Sequence, residues 1–126
     1  MKEKRIGFEF NGEKSKIKVY DCNFFERFRG LMFTRKEKAR ALLFDFNKPT
    51  RLTIHSIFVF FPFVAIWLDD KNKIVDLRVV KPFTLSVRPE IPYNKLVEIP
   101  INRRYNKISE PLCAKSTEHL GKIKQF

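Results

Sequence analysis

Apolar and polar positions alternate along this 126-residue chain mostly with the period of a β-strand. Residues 6–10 and 16–20 each alternate, and Asn11-Gly12 between them is the dipeptide that best tolerates the positive φ angles of a type I′ turn. The chain therefore opens with a hairpin, its turn either two residues long or extended by the polar residues 13–15. Asn23-Phe24-Phe25-Glu26 then has the form of a helix start: the Asn23 side chain suits a free amide, and Glu26 suits the positive end of the dipole. Phe24, Phe25, Phe28 and Leu31 follow at helical spacing, and Gly30 suits a left-handed stop. A short amphipathic helix is predicted over residues 23–30.

Beyond a basic loop at 34–40, residues 41–46 read as an apolar-rich strand that stops at Asn47-Lys48-Pro49. Residues 52–61 read as a further strand, Phe61-Pro62-Phe63 as a bend, and 64–68 as renewed β pattern ended by Asp69-Asp70-Lys71-Asn72. Residues 73–80 complete a hairpin, which makes four consecutive β segments. Pro82, Pro89 and Pro92 remove backbone donors, so 81–93 is expected to cross the surface as a loop. A strand returns at 96–99. The basic residues 101–126 have sparse apolar anchors and support only a candidate short helix near 114–120. Without repeats or a Gly/Ser-rich linker, residues 1–126 form a single compact domain. Its expected class is β-rich (α+β), with mostly antiparallel strands in a twisted sheet or partly open barrel and one short helix near residues 23–30.

Composition supports a self-sufficient core: 44% of residues are hydrophobic, 14 of them Phe, and each such ring buries on the order of 150–250 Å². Cys22 and Cys113 are too few for a disulfide framework and read as free thiols. The most apolar segment, 57–68, contains Pro62 and is far shorter than the roughly 20 residues a spanning helix needs, so no membrane partner is expected. Met1-Lys2-Glu3-Lys4-Arg5 is charged but precedes no signal-like apolar stretch, which points to the cytoplasm.

Charge adds a candidate partner. The chain carries 26 Lys+Arg against 14 Asp+Glu, a net charge of +12. Such a field attracts nucleic acid or another polyanion, unless it only reflects a general richness in Lys, Ile, Asn and Phe. Arg27, Arg29, Arg35, Lys36, Lys38 and Arg40 crowd together near Phe28 and Phe33, and cations interleaved with exposed rings could contact phosphates and stack bases. Phe28 is expected to be buried and Phe33 is left open.

Catalytic signals are sparse. The four glycines are isolated, so there is no phosphate-binding loop, and neither a nucleophile elbow nor Cys-x-x-Cys pairs occur. No metal, cofactor or catalytic residue is predicted. His55, within the expected strand 52–61, is either a proton carrier or ligand contact, or a structural histidine bonded to backbone. Cys22 and Cys113 lack an evident activating partner, and Asp69 and Asp70 suit a solvated turn.

Glu26-Arg27-Phe28-Arg29-Gly30-Leu31-Met32-Phe33 resembles the E-R-x-x-G-L-M element of the uncharacterised family known as domain of unknown function 192. Ala41-Leu42-Leu43-Phe44-Asp45-Phe46 is similar to its G-M-L-F-x-F strand. Ile54-His55-Ser56, followed by Phe61-Pro62-Phe63-Val64-Ala65-Ile66-Trp67-Leu68-Asp69, is similar to its central motif. The likeness covers about residues 16–100. It implies a compact β-rich domain with a short helix and carries no known reaction. An acidic residue that members usually have in the central motif is missing, and Ile101-Asn102-Arg103-Arg104 replaces their late glycine.

Three functional readings follow. A non-enzymatic domain contacts nucleic acid or another polyanion through Arg29, Arg35, Lys36, Lys38 and Arg40. Alternatively, a small-ligand or enzymatic cleft lies near Arg27 and His55, two polar residues in apolar motifs. A protein-interaction module would instead expose an apolar patch near residues 58–63 or in the tail.

Overall fold

A computed structural model describes residues 2–10, 12–22 and 30–123. Its strands are β1 (Lys2–Phe10), β2 (Glu13–Asp21), β3 (Leu42–Thr50), β4 (Phe63–Leu68), β5 (Ile74–Val80) and β6 (Tyr93–Pro100), followed by helix α1 (Asn106–Ile123). They form one sheet in the order β1-β2-β3-β6-β4-β5. All pairings are antiparallel except β2 with β3, which run parallel at Tyr20↔Leu42 and Asp21↔Leu43. A parallel neighbour requires a long crossover, and the connection between Asp21 and Leu42 supplies it. The sheet curls into a half-barrel. The bridge Glu9↔Lys73 joins its outer strands.

The opening hairpin has the shorter of its two expected turns: Phe10 pairs with Glu13, and Gly12 takes φ +83°. The expected helix at 23–30 falls on residues outside those described, apart from its stop. Gly30 does adopt the left-handed backbone, with φ +50°.

Three expectations are corrected. Residues 52–61 are not a strand: of this stretch only Ile54 makes a bridge, to Val87, and the chain then turns at Ile57–Phe58. The β segments between residues 41 and 80 therefore number three, not four. Strand β3 does not stop at Asn47-Lys48-Pro49 but continues to Thr50, because Asn47 at φ +58° and a register shift between Asp45 and Thr50 absorb the irregularity. Finally, the C-terminal helix begins at Asn106, well before the expected 114–120. Among its described side chains, Ile108, Leu112 and Cys113 meet the core.

The two faces of the sheet each carry a core. On one, Ile6, Phe8, Ile17, Val19, Leu43, Ile66 and Val97 pack beneath the curl, and Tyr105 and Leu112 close it. On the other, Leu42, Phe44, Phe63, Trp67 and Leu96 pack under irregular segments that contribute Leu31, Ala39, Val59 and Phe61. Strand β4 is buried along all six residues because it serves both.

Irregular segments can cover a sheet only if their backbone groups find partners. Ser56, fully buried, is where two of them meet. Its amide donates to Thr84 O at 2.8 Å and its carbonyl accepts from Phe83 N at 2.7 Å and Val59 N at 3.1 Å. Its hydroxyl donates to Lys81 O at 2.6 Å and accepts from Thr84 N at 2.8 Å. Beside it, Ile54 and Val87 exchange two backbone bonds, of 2.9 and 2.8 Å. Asn102 does similar work at the far end, donating to Lys36 O at 2.8 Å and Ala39 O at 3.1 Å and accepting from Tyr105 N at 3.3 Å.

Removing the Ser56 hydroxyl takes the partner from the half-buried Thr84 amide. Ser56→Ala is expected to lower unfolding free energy by about 1–3 kcal/mol, measured by urea denaturation. An unchanged midpoint would show that this junction does not hold the loops.

Candidate functional site

The covering loops do not fill the second face. Between the Gly30–Phe33 turn, residues 52–59 and strands β3, β4 and β6 lies a cleft of about 430 Å³. Its floor is Phe44, Phe63, Leu96 and Glu98, and its walls include Met32, Leu52, Ile54 and Val59. Among the described residues the lining is predominantly apolar, with Thr53, His55, Tyr93 and Glu98 as its side-chain polar groups.

Glu98 is the chemically distinctive member. It lies on β6 opposite Leu42 of β3 and Ala65 of β4, so a carboxyl enters a face made otherwise of apolar side chains. The small Ala65 leaves room beside it. Glu98 is only 6% exposed. Among the described residues no cation or hydrogen-bond donor meets it, and burial alone pushes its pKa from 4.5 up to about 8. A neutral carboxylic acid at pH 7 both donates and accepts a hydrogen bond. Gly30 passes close by: a Cβ there would lie 3.5 Å from Glu98 Oε1.

Tyr93 shapes the wall. Its hydroxyl donates to Leu52 O at 2.7 Å, tying β6 to the first residues of the covering loop, and its ring packs edge-on against Phe46 and Trp67. Burial pushes its pKa up to about 12, so it stays protonated across the physiological range. The buried indole N–H of Trp67 has no acceptor among the described residues.

His55 lies on the cleft lining and is solvent-exposed, in the loop and not in a strand. Its Nδ1 accepts a long bond of 3.4 Å from Ile57 N. Arg27 and Arg29, with Phe28, are outside the described residues, so the pairing of Arg27 with His55 has no geometry here. Arg35, Lys36 and Lys38 are exposed around a 3-10 turn at Lys36–Lys38. Arg40 is exposed as well, with its guanidinium 5.9 Å from the Tyr20 ring centroid. Phe33, left open by the sequence, is exposed.

Cys22 and Cys113 are not joined in a disulfide. Cys22 is buried and donates to Tyr20 O at 3.7 Å, whereas burial pushes the Cys113 thiol up, away from reactivity. Asp69 accepts from Lys71 N and Lys73 N, both at 2.9 Å, and so shapes a turn. Among the described residues there is no cluster of three or more metal-ligating side chains, and no helix is long and apolar enough to cross a membrane.

Sequence reasoning missed Glu98, Tyr93 and Ser56. One signal was available for the first: in Leu96-Val97-Glu98-Ile99-Pro100 a single carboxylate interrupts an apolar strand. Ser56 and Tyr93 carry no such mark, because their partners are distant in sequence.

Comparison with known proteins places residues 8–106 under a family model described as DUF192, uncharacterized ACR. The chain is 35% identical over 88 residues to a UPF0127 protein of Thermococcus sibiricus, covering 68% of this chain and 55% of the relative. A UPF0127 protein of Pyrococcus furiosus is 30% identical over 90 residues, covering 71% and 77%. The chain thus spans about half the length of the Thermococcus relative. Among solved structures, a Sinorhizobium meliloti protein whose name proposes a transcription regulator superposes with a TM-score of 0.66 at 17% identity, covering 78% of this chain and 79% of that one. A Novosphingobium aromaticivorans protein of unknown function gives 0.62 at 15%, covering 83% and 76%. At such identities the likeness is one of fold.

The raised pKa of Glu98 fixes a direction of pH dependence. Folded protein holds this proton up to about pH 8 while unfolded chain releases it near 4.5, so stability falls as pH rises between those values. Glu98→Gln should flatten that slope and exceed the parent in melting temperature at pH 8.5. Thermal melts across the range check this, and parallel curves for the two proteins would refute it.

Proposed function

The chain belongs to the DUF192 family, and from that membership, which brings a fold but no reaction, we propose that its cleft binds a small, largely apolar molecule whose one polar group meets Glu98. The observation that carries this reading is the neutral carboxyl at the floor of an apolar cleft of about 430 Å³. Such a volume suits a small organic ligand. Burial of Glu98 works against folding, because desolvating a carboxyl that meets no partner among the described residues is unfavourable. A ligand hydroxyl or amine would offset that cost when bound, whereas a purely apolar ligand would leave the carboxyl unpartnered.

His55 supports the same reading from the rim, since an exposed imidazole on the lining is free to contact the polar end of a longer ligand. Tyr93 has a different part: its hydroxyl is committed to Leu52 O and so positions the wall.

Titration with 1-hexanol, hexylamine and hexane, followed by amide chemical shifts, tests the assignment. Hexanol and hexylamine should perturb Phe44, Leu96 and Glu98, and hexylamine should release a proton at pH 7 as Glu98 ionises beside it. In Glu98→Leu the preference over hexane should vanish. Equal responses to all three in the parent protein would defeat the role given to Glu98.

A second reading, contact with nucleic acid or another polyanion, has one observation in its favour. Asn102 fixes the Lys36 and Ala39 carbonyls, which holds Arg35, Lys36 and Lys38 outward on a defined backbone. Binding of a DNA or RNA oligonucleotide through them should weaken steeply from 50 to 200 mM salt, and should weaken again in Lys36→Gln/Lys38→Gln. Undetectable binding at low salt removes this reading.

A further inference from the structure

Phe33, Phe58, Phe60 and Phe83 form one exposed cluster, at 63%, 46%, 58% and 60% exposure. Phe33 stacks on Phe58 with centroids 5.0 Å apart, Phe60 leans toward Phe33 at 6.4 Å, and Phe83 meets Phe60 edge-on at 5.7 Å. Three separate segments therefore bring their rings to one place. The place is preformed, because Phe33 N donates to Phe58 O at 3.0 Å and the Ser56 junction holds the other two segments together.

Backbone conformation adds a second observation. Phe33 and Phe83 take φ +59° and +62°, a region that a bulky residue enters only against steric resistance. Asn47 and Asn72 do the same, but asparagine tolerates it well. Two strained phenylalanines whose rings then face water gain nothing for the fold, and such outliers concentrate at sites of function.

The charges nearby select the occupant. Segments 30–36, 48–62 and 80–89 hold Arg35, Lys36, Lys48, Arg51, Lys81 and Arg88, with no carboxylate before Glu37 and Glu90 at their ends. All six cations are exposed. A second copy of this chain would bring the same six charges against them. A site for bases would present ring faces throughout, whereas Leu85, two residues from Phe83 and 77% exposed, adds an aliphatic tip that offers none. Exposed rings and aliphatic tips on segments whose charged residues are all Lys or Arg match an interface in which apolar groups enter the acyl boundary and cations meet anionic headgroups.

We propose that this phenylalanine cluster docks the protein on an anionic lipid surface. The contact is peripheral and needs no spanning helix. It is independent of what the cleft binds, although Met32 and Val59 line the cleft on the segments that carry Phe33, Phe58 and Phe60.

Co-sedimentation of the full chain with vesicles tests it. Phosphatidylcholine vesicles containing phosphatidylglycerol, at roughly 3:1, should bind the protein far better than phosphatidylcholine alone, with affinity falling as salt rises. Phe58→Ser/Phe60→Ser should weaken partitioning at least about tenfold, since two rings no longer leave water. A second variant, Phe33→Asn/Phe83→Asn, keeps residues suited to the positive φ and should also bind weakly, with a melting temperature at or above that of the parent. The proposal is overturned by any of three results: no preference for anionic vesicles, unchanged partitioning in both variants, or a ring-dependent interaction that appears only with oligothymidine or as dimerisation in ultracentrifugation.

Discussion

A sheet that is apolar on both faces needs two covers, and almost everything distinctive here follows from how the second is made. The first is ordinary: the sheet curls over itself, and α1 with Tyr105 seals the remaining gap. The second consists of irregular segments, whose amides and carbonyls must all be satisfied before they can lie on an apolar surface. Ser56 solves this locally by joining residues 52–59 to residues 81–84 through backbone and hydroxyl together. Hydrogen bonds of this kind contribute only about 0.5–1.5 kcal/mol each in net terms, but leaving one unmade inside the protein costs more.

A cover made of loops does not interdigitate with a sheet as a helix would, and the consequence is a cleft. Its walls are held by backbone bonds of the covering loops and by the Tyr93 hydroxyl on Leu52 O. Glu98 sits where packing alone would favour Leu or Val, on the central part of β6 between Leu42 and Ala65. A neutral acid in an apolar cleft is a directional group in a non-directional environment. That combination is what a binding site needs to orient a ligand as well as hold it.

The same loops turn phenylalanine outward. A chain with 14 phenylalanines can spare some from its core, but chance exposure would scatter them, whereas four meet through ring contacts. The three segments that carry them, 30–36, 48–62 and 80–89, hold six exposed cations and no carboxylate. Cleft and cluster lie on shared segments, so a disturbance of the Ser56 junction would reach both.

What the sequence determined by itself is the part governed by local rules. Period-two alternation placed β1 and β2, Asn11-Gly12 placed the first turn, the bend at Pro62 and the turn at residues 69–72 bounded β4 and preceded β5, and the left-handed backbone at Gly30 followed from its missing side chain. Three motifs in register identified the family. Residues 52–61 misled because β-branched and aromatic residues there serve to cover a sheet, and burial against a sheet favours the same residue types as membership of one. The length of α1 was hidden because apolar residues are too sparse in the basic stretch 101–126 to show a helical period. The candidate site was half legible: His55 and the motif around Gly30 were marked, but Glu98, Tyr93 and Ser56 gained meaning only from partners 25 to 41 positions away or from the burial that the neighbouring strands impose. Tertiary structure alone decided those, since long-range pairing sets which backbone group a side chain meets and how much water it keeps.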